Sequence, residues 1–227
     1  MVRFEPESRE RPDRSLDDPL PEAPLPLLQR WLDEAIAERV ARNPTAMTLA
    51  TVGASGLPEA RVVICRGWDL ESGWLVFYTH RRSPKGTALE RSGRAAAVFH
   101  WDALARQVRV EGPVVRSPES ESDAYFSSRP PEAALSAWAS DQSRPIASRA
   151  ALLEKLARTE ARFRGRDPGA PVPRPPHWGG YRLWIESLEL WVGRFGRLHD
   201  RALWTRALEA EGAGFRAGRW SRQRLQP

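Results

Sequence analysis

Between Ala46 and Val115 the chain passes through five short runs, AMTLATVG, EARVVICRGWD, GWLVFYTH, AAAVFHW and RQVRVEGPVV, each rich in Val, Thr or aromatic residues. Turn chemistry separates them, as in GASG (Gly53 to Gly56) and LESG (Leu70 to Gly73). Runs of this composition, length and spacing read as strands joined by tight turns, and so as an antiparallel sheet or barrel. One interruption is helical. In SPKGTALERSG, Ser83 is placed to cap a helix, Pro84 to occupy its first position and Gly93 to end it.

Helices flank the strand-rich region. In LPLLQRWLDEAIAERV, residues Leu27, Leu28, Trp31, Leu32, Ala35 and Ile36 fall on one helical face, with Asp33, Glu34 and Glu38 on the other. After the strands, SPESESDAYFSSR carries acidic residues in its first turn, and SRAALLEKLARTEARFRG places Leu152, Leu153, Leu156 and Phe163 at helical spacing. The stretch DPGAPVPRPPHWGG is too rich in Pro and Gly for regular structure, and beyond it YRLWIESLELWVG, ALWTRAL and GRWSRQRL read as further strands. The fold class expected is mainly β, of the α+β type. Residues 1–26 combine Pro and charge with few apolar side chains, which predicts a flexible arm ahead of a single domain over 27–227.

Composition narrows the function. The net charge of +6 comes from Lys and Arg scattered along the chain rather than in blocks, which argues for dispersed anion contacts and against a nucleic-acid stripe. The single cysteine, Cys65, rules out a disulfide within the chain and any multi-cysteine metal site, so a reducing, cytoplasmic setting is expected and Cys65 reads as a small buried hydrophobe. His80, His100, His177 and His199 lie far apart in sequence and read as structural residues, and no metal is expected. No signal-peptide pattern or apolar stretch long enough to span a membrane is present, and neither a P-loop nor a GxGxxG turn occurs.

What remains is a set of cations at strand ends and helix starts: Arg61 and Arg66 around VVIC, Lys85, Arg129 after AYFSS, and the cluster GRLHDR with Arg197 and Arg201. Guanidinium forks and helix N-termini both suit phosphate. Each alone reads as a surface charge; together they point to anion contacts, of which a phosphorylated small molecule is one candidate.

The runs RQVRVEG, SRP, WGGYR and RLHDR, in their order along residues 27–227, resemble pyridoxamine 5'-phosphate oxidase, an FMN-dependent family of vitamin B6 metabolism. The resemblance implies an FMN-binding split β-barrel of antiparallel, Greek-key type and a homodimer with each flavin held between subunits. It implies that Arg61 and Lys85 grip the FMN phosphate, joined by Gln142 and Ser143 of the facing subunit. It further implies that Val62, Val63, Ile64, Cys65, Arg66, Tyr78, Thr79 and Gln107 line the flavin, with Trp191 and Arg201 as additional contacts. For the substrate, a phosphorylated B6 vitamer, Tyr125 and Arg129 would hold the phosphate with Arg66, and Arg197 and His199 would lie catalytically against the ring. Asp200 is left as a structural partner for neighbouring cations. Hydride transfer to the flavin, with O2 as the final acceptor, is the implied reaction.

Three positions depart from the family pattern. Arg66 stands where Lys is usual, Ala133 where Ser is usual, and Ser83-Pro84-Lys85 where an SRK triplet is usual. Losing a hydrogen bond to a charged group costs about 1.5 to 3 kcal/mol, so either Arg66, Arg81 or Arg82 compensates or the substrate differs. Two competing readings follow: an FMN oxidase acting on another compound, as the phenazine-biosynthesis oxidases do, and a non-catalytic flavin or B6-phosphate binding protein.

Overall fold

The computed structural model describes residues 15–164 and 171–227. The chain enters through α1 (Leu25–Ala37), continues through β1 (Ala46–Val52), β2 (Pro58–Ile64), β3 (Gly67–Asp69) and β4 (Trp74–His80), and then forms α2 (Pro84–Ser92). Next come β5 (Arg94–Trp101) and the long β6 (Arg106–Arg116), followed by three helices, α3 (Glu119–Ser127), α4 (Pro131–Ala139) and α5 (Arg149–Phe163). The C-terminal part supplies β7 (Trp178–Trp184), β8 (Ser187–Val192) and β9 (Asp200–Thr205). A separate hairpin of β10 (Leu208–Glu211) and β11 (Gly214–Ala217) precedes the last strand, β12 (Ser221–Leu225).

The sheet divides at β6. On one side β6 pairs with β5 from Arg106↔Trp101 to Pro113↔Arg94. On the other, Arg106 to Glu111 pair with β8 while Val114 to Arg116 pair with β7. The change of partner falls at Gly112 and Pro113. A Cβ on Gly112 would lie 1.9 Å from the Trp184 carbonyl oxygen, so only glycine admits the β7–β8 corner there. Pro113 has no N–H to give to a ladder. Two arms result, β12-β9-β8-β6-β5-β1-β2 and β3-β4-β7, all antiparallel. The expected antiparallel split barrel with flanking helices is the observed fold.

Parity along the strands decides what the sheet buries. Leu49, Ala97, Val110, Leu188 and Trp204 stand opposite one another across β1, β5, β6, β8 and β9, and all are 0% exposed. Leu28, Trp31 and Leu32 of α1 join the same core. Each such side chain contributes about 1.5–3 kcal/mol by leaving water.

Several boundaries differ from the sequence reading. The expected flexible arm is packed from residue 15 onward, while residues 1–14 lie outside the described residues. Leu16 and Leu20 belong to the main core; Leu16 N–H donates to Asp200 Oδ2 (2.7 Å) and Trp204 Nε1 to the Pro21 carbonyl (3.0 Å). These contacts are tertiary and leave no periodic trace. Helix α1 starts at Leu25, where the stretch LPLLQRWLDEAIAERV begins, since Pro24 and Pro26 suit a first turn, so it overlaps the end of the expected arm. The run EARVVICRGWD breaks at Cys65–Arg66 and YRLWIESLELWVG at Ile185–Glu186, each into two strands. Helix α4 was not expected; its nine residues are too few to display a period. The capping reading of α2 holds, with Ser83 Oγ accepting from Gly86 N–H (3.3 Å) and Gly93 at φ 61°.

Candidate functional site

The described candidate residues gather into three groups. The first lies at the start of α2. Its Ser83 cap turns Lys85 inward, where the lysine is 9% exposed and donates to Gln142 Oε1 (2.6 Å) and Ser83 Oγ (3.4 Å). Thr79 on β4 also donates to Gln142 Oε1 (3.2 Å). No carboxylate of the described residues reaches Lys85, and burial, aided by the nearby Arg61 charge, lowers its pKa from 10.5 to about 8. Arg61 on β2 donates to Thr51 Oγ1 (2.6 Å) and to Glu59 Oε2 (2.8 Å). A desolvated cation without a counter-charge is costly, and a second cation beside it raises the cost. The donor set, an ammonium, a guanidinium and hydroxyls, is that of a phosphate site.

Gln142, expected at the phosphate from the facing subunit, meets Lys85 and Thr79 within its own chain. Ser143 beside it is exposed, in a left-handed turn at φ 66°. Arg81 does not replace the cation missing at Pro84: its guanidinium pairs with Glu119 on α3 at 2.7 Å.

The second group is a stack of rings. Tyr78, Tyr125 and Trp178 form a triangle of near-parallel rings, with centroids 4.1 Å (Tyr78–Tyr125), 5.3 Å (Tyr78–Trp178) and 6.0 Å (Tyr125–Trp178) apart, and Arg66 lies 5.9 Å from the Tyr125 ring and Arg129 4.9 Å from that of Trp178. Arg129 Nη2 also donates to the Ala133 carbonyl (2.9 Å) in the first turn of α4. Burial depresses the Arg129 pKa, with the Arg66 charge acting in the same direction. Tyr78 hydroxyl donates to Glu121 Oε1 (3.4 Å), and burial together with that carboxylate raises its pKa. Two guanidinium groups beside a wall of rings can receive an anionic aromatic compound.

The third group lies on the outer face of the sheet. Gln107, Trp191 and Arg201 stand in one row across β6, β8 and β9. The His199 ring lies 4.7 Å from that of Trp191, and its Nδ1 accepts from Arg194 N–H (3.2 Å). Arg197 sits exposed in the preceding turn, where Gly196 and Arg197 have φ of 68° and 62°. Asp200 is structural as expected, accepting from Arg224 Nη1 (2.6 Å) and Leu16 N–H.

Strand parity separates the first and third groups. Arg61 stands opposite Leu49 and so shares the side of the sheet that buries Ala97, Val110 and Leu188. Gln107, Trp191 and Arg201 are each three residues from Val110, Leu188 and Trp204, which puts them on the opposite side. Within this chain the two groups therefore open onto different sides of the sheet.

The VVICR segment is mixed. Val62 is 66% exposed, Val63 and Ile64 are half-buried, Arg66 is exposed, and Cys65 is in the core. Burial pushes the Cys65 thiol up to about 12, so only its backbone can serve a ligand. Sequence reasoning missed Glu189, Glu121 and Trp178. Of these only Glu189 left a signal, a carboxylate two residues before Trp191 in an otherwise apolar strand. Among the described residues no cluster of His, Cys, Asp or Glu could hold a metal, and no helix is long and apolar enough to cross a membrane.

Comparison with known proteins places this geometry. Residues 32–163 match the family model described as pyridoxamine 5'-phosphate oxidase, and residues 178–227 that of the pyridoxine 5'-phosphate oxidase C-terminal dimerisation region. The chain belongs to the pyridoxamine 5'-phosphate oxidase family. Curated relatives named pyridoxine/pyridoxamine 5'-phosphate oxidase include one from Chromobacterium violaceum, 47% identical over 94% of this chain and 92% of the relative. Another, from Rubrobacter xylanophilus, is 48% identical over 90% and 87%. Among solved structures, PhzG from Burkholderia lata, in complex with tetrahydrophenazine-1-carboxylic acid, aligns with a TM-score of 0.76 at 31% identity over 97% of this chain and 98% of that one. A pyridoxamine 5'-phosphate oxidase-related, FMN-binding protein from Nostoc punctiforme shares the fold, with a TM-score of 0.61 at 21% identity over 85% and 96%.

Proposed function

We propose that the protein is an FMN-dependent oxidase that converts pyridoxine 5'-phosphate or pyridoxamine 5'-phosphate to pyridoxal 5'-phosphate, with O2 as acceptor and H2O2 released, the amine in addition consuming water and releasing ammonia. The observation that carries this reading is Lys85, a buried cation beside Arg61 with no carboxylate on it among the described residues. Such a pair is stabilised by a bound phosphate, and relatives 47–48% identical are named for oxidases of phosphorylated B6 vitamers.

FMN, when bound, accepts a hydride from the substrate and passes the electrons to O2. Arg61, Lys85, Thr79 and Gln142 would hold its phosphate, with Ser143 alongside. Gln107, Trp191 and Arg201 would meet its ring system. The opposite-side placement of these two groups supports a homodimer in which each flavin takes its phosphate contacts from one protomer and ring contacts from its partner. The matched C-terminal dimerisation region supports the same assembly.

Substrate binding falls to the ring stack. Arg66 and Arg129 would clamp the vitamer phosphate beside Tyr125, with the Arg66 fork in place of the family's usual Lys offsetting the hydroxyl lost at Ala133. Arg197 and His199, carried on the turn beside Trp191, would orient the pyridine ring over the flavin and exclude water from it. His199 Nδ1 already accepts from Arg194 N–H, which leaves Nε2 as the nitrogen able to meet a substrate oxygen or nitrogen.

An anaerobic titration of the FMN-loaded protein with each vitamer, following the oxidised-flavin absorbance, tests the proposal. Stoichiometric bleaching reversed by air with release of peroxide is expected. Flavin that stays oxidised with both vitamers removes the B6 assignment. A second reading, oxidation of a different ring compound, draws on Ala133 and on the likeness to PhzG. Bleaching by a reduced tricyclic carboxylic acid but by neither vitamer would establish it.

A further inference from the structure

Among the described residues Glu189 is the one buried carboxylate, at 2% exposure, and it lies on the outer face of the sheet rather than in the core. Two arginines from neighbouring strands cover it. Its Oε1 takes both Nε and Nη2 of Arg201 at 2.8 Å. Its Oε2, which no hydrogen bond satisfies, lies 3.2 Å from Arg109 Nη2. The fold alone does not ask for this arrangement, since an apolar residue would fill a β8 position at lower desolvation cost.

The result is a fixed guanidinium. Arg201 Nη1 donates to the Gln226 carbonyl (3.0 Å) and Nε to Glu189 Oε1, so two of its five N–H groups make hydrogen bonds while Nη2 pairs with the carboxylate by charge. N–H groups on both Nη1 and Nη2 remain able to meet a further acceptor. Trp191, opposite Arg201 in the β8–β9 ladder, lies on the same side of the sheet.

We infer that Glu189 is a positioning residue that acts through Arg201, holding the Nη1–Nη2 edge ready for the acceptor oxygens and nitrogens of the flavin ring and offsetting part of the arginine charge. The inference rests on the FMN reading above. Without Glu189 the long Arg201 side chain would regain its rotamers, and its full charge would face the flavin.

Fluorescence titration with FMN and the midpoint potential of bound FMN test this, using wild type, Glu189→Ala, Glu189→Gln, Arg201→Ala and the Glu189→Ala/Arg201→Ala double variant. Glu189→Ala is expected to raise the FMN Kd at least tenfold, about 1.4 kcal/mol, and to add nothing once Arg201 is absent. Glu189→Gln keeps an acceptor oxygen but loses the charge, so it should bind FMN more tightly than Glu189→Ala and move the potential positive, because reduced, anionic flavin then meets an uncompensated cation. An unchanged Kd in folded Glu189→Ala, an equal penalty in the Arg201→Ala background, or an unchanged potential in Glu189→Gln overturns the inference while wild type still binds FMN. If Glu189→Ala does not fold, the potential of Glu189→Gln decides. Wild type that fails to bind FMN overturns the functional reading itself, and the role of Glu189 with it.

Discussion

Lys85 makes FMN affinity a function of pH. In the free protein its pKa is lowered from 10.5 to about 8, first by burial and then by the Arg61 charge. A phosphate placed against it supplies the missing counter-charge and returns the pKa toward its ordinary range. Binding is then linked to proton uptake in the window between the two values. With a pKa near 8, about nine-tenths of the lysine is protonated at pH 7 and about 3% at pH 9.5. If the complex restores the value to about 10.5, the FMN Kd should rise about 30-fold from pH 7 to pH 9.5, close to 2 kcal/mol. The phosphate contributes little of this, because its second ionisation, near pH 6, is essentially complete before the window opens. Quenching of FMN fluorescence at constant ionic strength measures the profile. Lys85→Met should bind weakly at pH 7 and lose the pH dependence across the window. A wild-type Kd that stays level from pH 7 to 9.5, or an equal slope in Lys85→Met, would refute the argument. In the ligand-free protein the sign reverses. Between about pH 8 and 10.5 the unfolded chain holds more protons on this lysine than the folded one, so Lys85 by itself makes the apoprotein more stable as pH rises through that window.

Other outcomes follow from single contacts. Gly112→Ala places a methyl 1.9 Å from the Trp184 carbonyl and should cost about 3 kcal/mol or more in denaturant unfolding, since the β7–β8 corner must move; a loss under 1 kcal/mol would show that the division of the sheet does not depend on this glycine. Leu16→Ala and Leu20→Ala each empty a core position and should cost about 2–4 kcal/mol by the same assay, whereas neutral substitutions would mean that the segment before α1 is not packed in solution. Arg129→Met should raise the KM for either phosphorylated vitamer at least tenfold with FMN affinity unchanged; loss of FMN instead would move Arg129 into the cofactor site.

The strand-rich character of Ala46 to Val115 was legible because period-two alternation and tight turns are local properties, although the break that makes five runs into six strands was not; α2 was legible too, since its cap, proline and terminal glycine are adjacent in sequence. Most candidate cations were legible as residue types at strand ends and helix starts. Their functional grouping was not. That Lys85 is stripped of counter-charge, that Arg81 is spent on Glu119, and that Gln142 reaches Lys85 within one chain all depend on how α2, α3 and the α4–α5 connection pack on the sheet. The segment over Leu16 and Leu20 was misread because it is tied down by β9, a partner distant in sequence that imposes no period. The sequence by itself thus determined the strands, the main helices and the cationic residue set, since these follow from spacing and side-chain chemistry. Only the tertiary structure decided which cations are desolvated, which are already paired and which side of the sheet each one occupies, because desolvation and pairing belong to the space between elements.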